Sequence, residues 1–320
     1  SIWDSKESNW SRYPRAVLAA LEERGLSLDR GLDILYYGNL PGGAGLSSSA
    51  SIEVLTGFAF LKITGQELSP VDLALLAQQA ENNWVGVKCG IMDQFVVSLG
   101  KKGQAILLNC DLLEYRYFPL SLPGACLIIT NSNKPHSLAA SKYNERRSEC
   151  EQALAVLGPS LKVSSLGQIG QGEFFQNADL IKDELIRRRA KHIVTENHRT
   201  VLAASLLEEG DLEGFGQLMN ASHESMRHDF EISCPEMDLL VELAWKVQGL
   251  YGSRMTGGGF GGCTVSLIRN EAVENFKIAV SRGYMAQFGY SPSFYCPETS
   301  DGAIEIAVRN TYQKASRMFC

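Results

Sequence analysis

Pro41-Gly42-Gly43-Ala44-Gly45-Leu46-Ser47-Ser48-Ser49-Ala50-Ser51 is the stretch whose reading decides the fold. It follows Leu32-Asp33-Ile34-Leu35-Tyr36-Tyr37, an apolar run that predicts a buried strand, and precedes residues 52–63, whose apolar positions recur at helical spacing. Strand, glycine loop and helix is therefore the expected local order. Gly42, Gly43 and Gly45 allow positive φ and close approach to a ligand. A helix starting among the serines points free N–H groups at whatever lies in front of it, which makes an anion site suited to phosphate. Ser47, Ser48 and Ser49 add hydroxyl donors, or a hydroxyl ligand for a magnesium ion between phosphates. No Gly-Lys-Ser/Thr is present, so this is not a Walker loop. A glycine turn with a serine N-cap is the plainer alternative for three glycines alone.

The 320 residues suggest two domains and suffice for a sizeable core. A formal charge of −6, with no dense basic tract beyond Arg187-Arg188-Arg189, argues against a nucleic-acid binder and for a small substrate. Eight cysteines without a CxxC pair suggest neither zinc ribbon nor redox motif, and a reducing compartment. No stretch approaches about 18 uninterrupted apolar residues, so neither a membrane span nor a membrane partner is expected, and the expected location is cytoplasmic. A monomer is the default expectation.

Ser8 or Asn9 can cap a helix running to Arg24, with Trp10 and Tyr13 on one side. Ser69-Pro70-Val71-Asp72 opens another helix, with Glu81 near its C-terminal end, where a carboxylate opposes the helix dipole. Asp93 lies in Cys89-Gly90-Ile91-Met92-Asp93-Gln94, at the start of a further helix that stabilises its ionised form. Such a carboxylate can accept a proton, although helix capping alone would explain its position. Residues 105–110 read as a strand, and Leu120 to Gly124 as a break where a domain boundary is expected. Residues 126–130 form an apolar strand leading into the polar run Asn131 to Ser137, and Tyr143 follows on a charged helix. The charges between Asp179 and Glu209 read as a solvated helix face. Ser253-Arg254-Met255-Thr256-Gly257-Gly258-Gly259-Phe260-Gly261-Gly262-Cys263 is too glycine-rich for a regular element. It leads into a strand at 264–268 rather than a helix, which excludes a dinucleotide fingerprint. Strands are expected near 293–296 and 303–308.

Pro-x-x-x-Gly-Leu-Ser-Ser-Ser-Ala resembles the phosphate loop of the GHMP superfamily of small-molecule kinases, and from about Trp10 to Ala303 the chain is similar to its galactokinase branch. The resemblance implies an α+β fold: an N-terminal ribosomal-protein-S5-domain-2-like domain over 1–122 that binds ATP, and a ferredoxin-like C-terminal GHMP kinase domain over 123–320. It implies ATP and Mg²⁺ as cofactors and D-galactose as the sugar, phosphorylated at its C1 hydroxyl. Asp93 matches the catalytic aspartate, Ser49 and Glu81 the magnesium ligands, and Trp10 and Tyr13 aromatics flanking adenine. The loop Gly42, Gly43, Ala44, Gly45, Leu46, Ser47, Ser48 and Ser49 would hold the phosphates. Gly90, Asp93 and Tyr143 would contact the sugar, and Gly257, Gly258, Gly259 and Gly261 would form a loop closing over the site.

The branch also carries a motif Gly-Arg-x-Asn-x-x-Gly-Glu-His-x-Asp ahead of the Trp10 helix, and this string does not occur here. The expectation is therefore a galactokinase lacking its first segment, unstable or inactive unless that segment is supplied. Two other readings stay open: a kinase for a related hexose such as N-acetylgalactosamine, and a galactose- and ATP-dependent sensor without catalysis.

Overall fold

The computed structural model describes residues 10–28, 30–134 and 139–306. Four helices, α1 (Arg12–Glu23), α2 (Ser48–Thr64), α3 (Pro70–Ala80) and α4 (Met92–Leu99), come first. Ser69 caps α3 by accepting the Asp72 N–H at 3.0 Å, with Pro70 at the first helical position, as its sequence requires. Buried faces of α1, α2 and α3 meet around Val17, Leu21, Val54, Phe60, Leu73 and Leu76. A hairpin of β1 (Gln104–Asn109) and β2 (Glu114–Pro119) follows.

The second half is built on an antiparallel sheet. Strands β3 (Ala125–Asn131), β4 (Leu250–Thr256), β5 (Cys263–Arg269) and β6 (Ser293–Tyr295) lie in the order β4-β5-β3-β6. Between β3 and β4 come α5 (Ala139–Leu161), α6 (Gln171–Asn177), α7 (Glu184–Glu209), α8 (Leu212–Ser225) and α9 (Pro235–Trp245); α10 (Val273–Phe288) joins β5 to β6. Numbering the four strands in chain order gives 2-3-1-4, with a helical connection after the first and third, which is the ferredoxin-like split βαβ arrangement. Alternate residues of the sheet face opposite layers. Ile128 and Ile268 pack on α9 and α10 through Leu240, Phe276 and Tyr284, while Ala125 and Leu267 pack on Leu212 and Met219 of α8. The Tyr284 hydroxyl donates to the Ser132 carbonyl at 2.8 Å, fixing α10 at the end of β3.

Several expectations are corrected. Residues 31–39 form no strand, and Leu35 is 95% exposed. Apolar composition favours extended backbone, but a strand needs a ladder partner, and 31–39 pair with nothing among the described residues. Residues 303–306 are likewise not a strand, and 307–308 lie outside the described residues. The first helix starts at Arg12 without a side-chain cap from Ser11; Ser8 and Asn9 lie outside the described residues. Ser253 to Thr256 belong to β4, so the glycine loop proper is 257–262. The charged face of α7 is not all solvated. Arg189 is 1% exposed, held by Glu149 (2.8 Å) and Glu231 (2.7 Å), and His192 is buried against Phe230. A long guanidinium can be buried when every donor finds an acceptor, which a helical charge pattern does not reveal. Among the described residues no helix is long and apolar enough to cross a membrane.

Candidate functional site

The loop 41–47 enters α2 through Ser47, which is left-handed at φ 57°. That turn frees the first N–H groups of α2, a 17-residue helix. Gly43 and Gly45 take positive φ, and Ala44 is buried. Gly257, also at positive φ, meets the loop backbone to backbone: a Cβ there would lie 2.9 Å from the Gly45 carbonyl. The two glycine-rich stretches, distant in sequence, thus form one surface. A Cβ at Gly259 would lie 2.3 Å from the Ile232 carbonyl, and that same carbonyl accepts the Phe260 N–H at 2.7 Å.

Asp93, in the first turn of α4, is half-buried, with the Ser47 hydroxyl beside its carboxyl. Burial pushes its carboxyl above the ordinary aspartate value, and the Ser47 hydroxyl partly offsets this. Glu81 follows α3 in a π-helical turn, Glu81–Val85, which carries its side chain inward rather than onto the solvated face that a helix end suggests. Ser49 and Cys89 hydrogen-bond it; burial is the first cause of its raised pKa, and the Asp93 charge adds to it.

Two residues of this cluster escaped the sequence reading. Glu53 is 0% exposed, one turn beyond Ser49 on α2, and shares a hydrogen bond with Glu81. Burial, then the Glu81 charge, drives its carboxyl far up, so it is neutral at physiological pH. Gln94, 1% exposed, links the pair: its Nε2 donates to Glu81 Oε2 at 2.7 Å and to Glu53 Oε2 at 3.2 Å. Gln94 Oε1 and Glu53 Oε1 are buried without a hydrogen-bond partner. A readable signal existed, since Glu53 is the lone charge between Ser48 and Phe60 in a helix otherwise apolar on several sides.

Tyr143 reaches the same place from α5. Its hydroxyl is hydrogen-bonded by the Gly90 backbone, and its ring lies 3.6 Å from where a Cβ of Gly258 would sit. Asn144 beside it accepts the Lys88 N–H at 3.3 Å. Trp10 and Tyr13 are used differently from one another. Trp10 is exposed and edge-on to Tyr36, with ring centroids 5.6 Å apart, whereas Tyr13 lies in the field of Glu81 and Glu53.

Three carboxylic side chains thus gather behind a helix N-terminus, each with its pKa raised by burial. Among the described residues no three His, Cys, Asp or Glu side chains make a metal cluster by themselves. The Ser49 and Glu81 oxygens are instead a partial set of hard donors, which suits a magnesium ion completed by phosphate oxygens and water. The arrangement can hold a polyphosphate and place a proton acceptor beside it.

Comparison with known proteins agrees with this geometry. Residues 12–101 match the GHMP kinases N terminal domain, and residues 203–285 match GHMP kinases C terminal. The chain is 46% identical over 301 residues to a galactokinase of Clostridium beijerinckii and to one of Bacillus subtilis, in each case covering 94% of this chain and 77% of the relative. The crystal structure of Lactococcus lactis galactokinase complexed with galactose superposes with a TM-score of 0.91 at 39% identity, over 94% of this chain and 79% of that one. A mevalonate kinase at 22% identity and a TM-score of 0.59 shares the fold.

Proposed function

The chain belongs to the galactokinases of the GHMP kinase family, and from that premise we propose that Asp93 and the loop at 42–49 carry out its reaction, phosphorylation of D-galactose by ATP. The hydroxyl on C1 of the sugar gives its proton to Asp93 as the oxygen attacks the terminal phosphorus; the bond to the bridging oxygen breaks, and ADP leaves with that electron pair. The single observation that carries this is that the Ser47 hydroxyl lies close enough to Asp93 to lower its carboxyl pKa, which ties the proton acceptor to the phosphate loop itself. Free N–H groups at the start of α2 and the backbone of Gly42, Gly43, Ala44, Gly45 and Leu46, with Ser47 and Ser48, would hold the phosphates. Ser49 and Glu81 would hold Mg²⁺, which neutralises charge between the terminal phosphates when bound. Gly90 and Tyr143 support a sugar pocket beside Asp93, with Gly257, Gly258, Gly259 and Gly261 covering it. Trp10 and Tyr13 would flank the adenine base.

The same reading divides the chain near Pro123, between the hairpin and β3. The test is a coupled ADP-release assay with galactose and N-acetylgalactosamine. Turnover of galactose, abolished in Asp93→Asn with nucleotide affinity retained, is the expected result; turnover of the acetylated sugar alone would overturn it.

A further inference from the structure

Strand β4 is the edge of its sheet, so the outward N–H groups of alternate residues lack a ladder partner. Here they are taken by side chains of α8. Asn220 Oδ1 accepts the Ser253 N–H at 2.8 Å, and His223 Nδ1 accepts the Met255 N–H at 3.3 Å. Between them, Arg254 reaches across to α7, where its Nη1 donates to Glu196 Oε1 at 3.2 Å. Its Nε also donates to the Met255 carbonyl, at 3.0 Å. Glu196 is itself fixed by Arg199 Nε at 2.7 Å and by the Ser222 hydroxyl. Helix and strand are in backbone contact as well, since a Cβ at Gly252 would lie 2.1 Å from the Gly216 carbonyl. All these restraints end where β4 does. The next residue after Thr256 is Gly257, seated on Gly45 of the phosphate loop.

We propose that Glu196 and Arg254 are positioning residues that set the height of the glycine-rich loop over the phosphate loop. They touch no reacting atom; they act through Thr256 and Gly257. This inference rests on the reading that Gly257, Gly258, Gly259 and Gly261 cover the active site, with Gly257 against Gly45 of the phosphate loop. Neither residue stands out in sequence, because Glu196 sits in a helix whose charges look solvated and Arg254 precedes the glycines.

The test measures calorimetric affinity for a non-hydrolysable ATP analogue, with hydrogen exchange of 256–262 followed in the same proteins. Glu196→Gln should weaken nucleotide binding about tenfold, roughly 1.4 kcal/mol, and speed exchange in 256–262 while β3 and β5 are unchanged. The triple variant Glu196→Leu/Arg199→Leu/Arg254→Leu removes the whole ion cluster and leaves none of its members unpaired. It should recover the melting temperature lost in the single variant but not the affinity. Recovery of both, or unchanged affinity and loop exchange in Glu196→Gln, would overturn the proposal and leave the pair a purely structural one. Gly257→Val separates the two levels. If it too leaves affinity unchanged, the loop assignment fails; if it abolishes binding while the Glu196 variants do not, only the role of Glu196 and Arg254 fails.

Discussion

Two regions of this molecule bury charge, and they do so in opposite ways. Behind the phosphate loop, Glu53, Glu81 and Asp93 crowd together, all with raised pKa values, and two buried oxygens of Glu53 and Gln94 lack partners. Between α5, α7 and the turn at 226–231, Arg146 and Arg189 meet Glu149 and Glu231 at 2.7–2.9 Å, and the Glu231 carboxyl is held below the ordinary glutamate value by the two arginines that bind it, Arg189 and Arg188. The second region has matched its charges within the chain, with only Arg146 Nε left without a hydrogen-bond partner. The first has not: its carboxyls meet only one another and hydroxyl, thiol and amide groups, and a bound cation would complete the set. Carboxyls buried without a paired cation, rather than charge burial as such, separate the reactive region from the structural one.

The sharpest way to break the contrast is to neutralise one member of each region. Asp93→Asn should lower turnover by about 10²–10⁴-fold with little change in melting temperature, because it removes a proton acceptor from a region that gains nothing from the charge. A comparable fall in thermal stability would erase the distinction. Arg189→Met should do the reverse in the matched region, costing about 2–3 kcal/mol of stability in denaturant titration, since Glu149 keeps only Arg146 and Glu231 only Arg188. An equally stable variant would show that the cluster is not what holds α7 to the turn.

Glu53 gives a milder, pH-dependent test. Its folded pKa is raised from 4.5 to about 9, so the unfolded chain releases this proton first. Its contribution to stability is full below pH 4.5 and is lost as pH rises toward 9. In magnesium-free buffer Glu53→Gln should therefore flatten the decline of melting temperature across that interval and stabilise the protein at pH 8. A decline of unchanged slope would mean that Glu53 is ionised in the fold. The smallest effect is expected from Ser47→Ala. Losing that hydroxyl removes the one interaction lowering the Asp93 pKa, so the acidic limb of the rate profile should move to higher pH by a fraction of a unit. Movement to lower pH would place Ser47 elsewhere.

What could be read in the sequence follows from how local each signal is. The loop at 41–51 and the Met92-Asp93-Gln94 string are short and contiguous, and each carries its own turn chemistry, so their places at helix N-termini were legible. The cap at Ser69 is equally local. By contrast, the apolar run at 32–37 looked like a strand because side chains report extended preference but not the presence of a neighbour. Glu53 was passed over for a related reason. One glutamate in a helix reads as solvated, and only the arrival of α3 and α4 makes it buried. Arg189 repeats this on α7. The sheet order, likewise, came from the family resemblance and not from periodicity, which says nothing about which strands are adjacent.

The seam between Gly45 and Gly257 carries one more consequence. A Cβ at 257 would lie 2.9 Å from the opposite carbonyl, and both residues are left-handed, so a side chain is opposed by space at 257 and by backbone conformation at 45. Divergence there is barred one residue at a time. New sugar preferences among descendants of such a chain must arise at its margins, around Gly90 and Tyr143, where a Cβ at 90 would still clear the phenol by 3.9 Å.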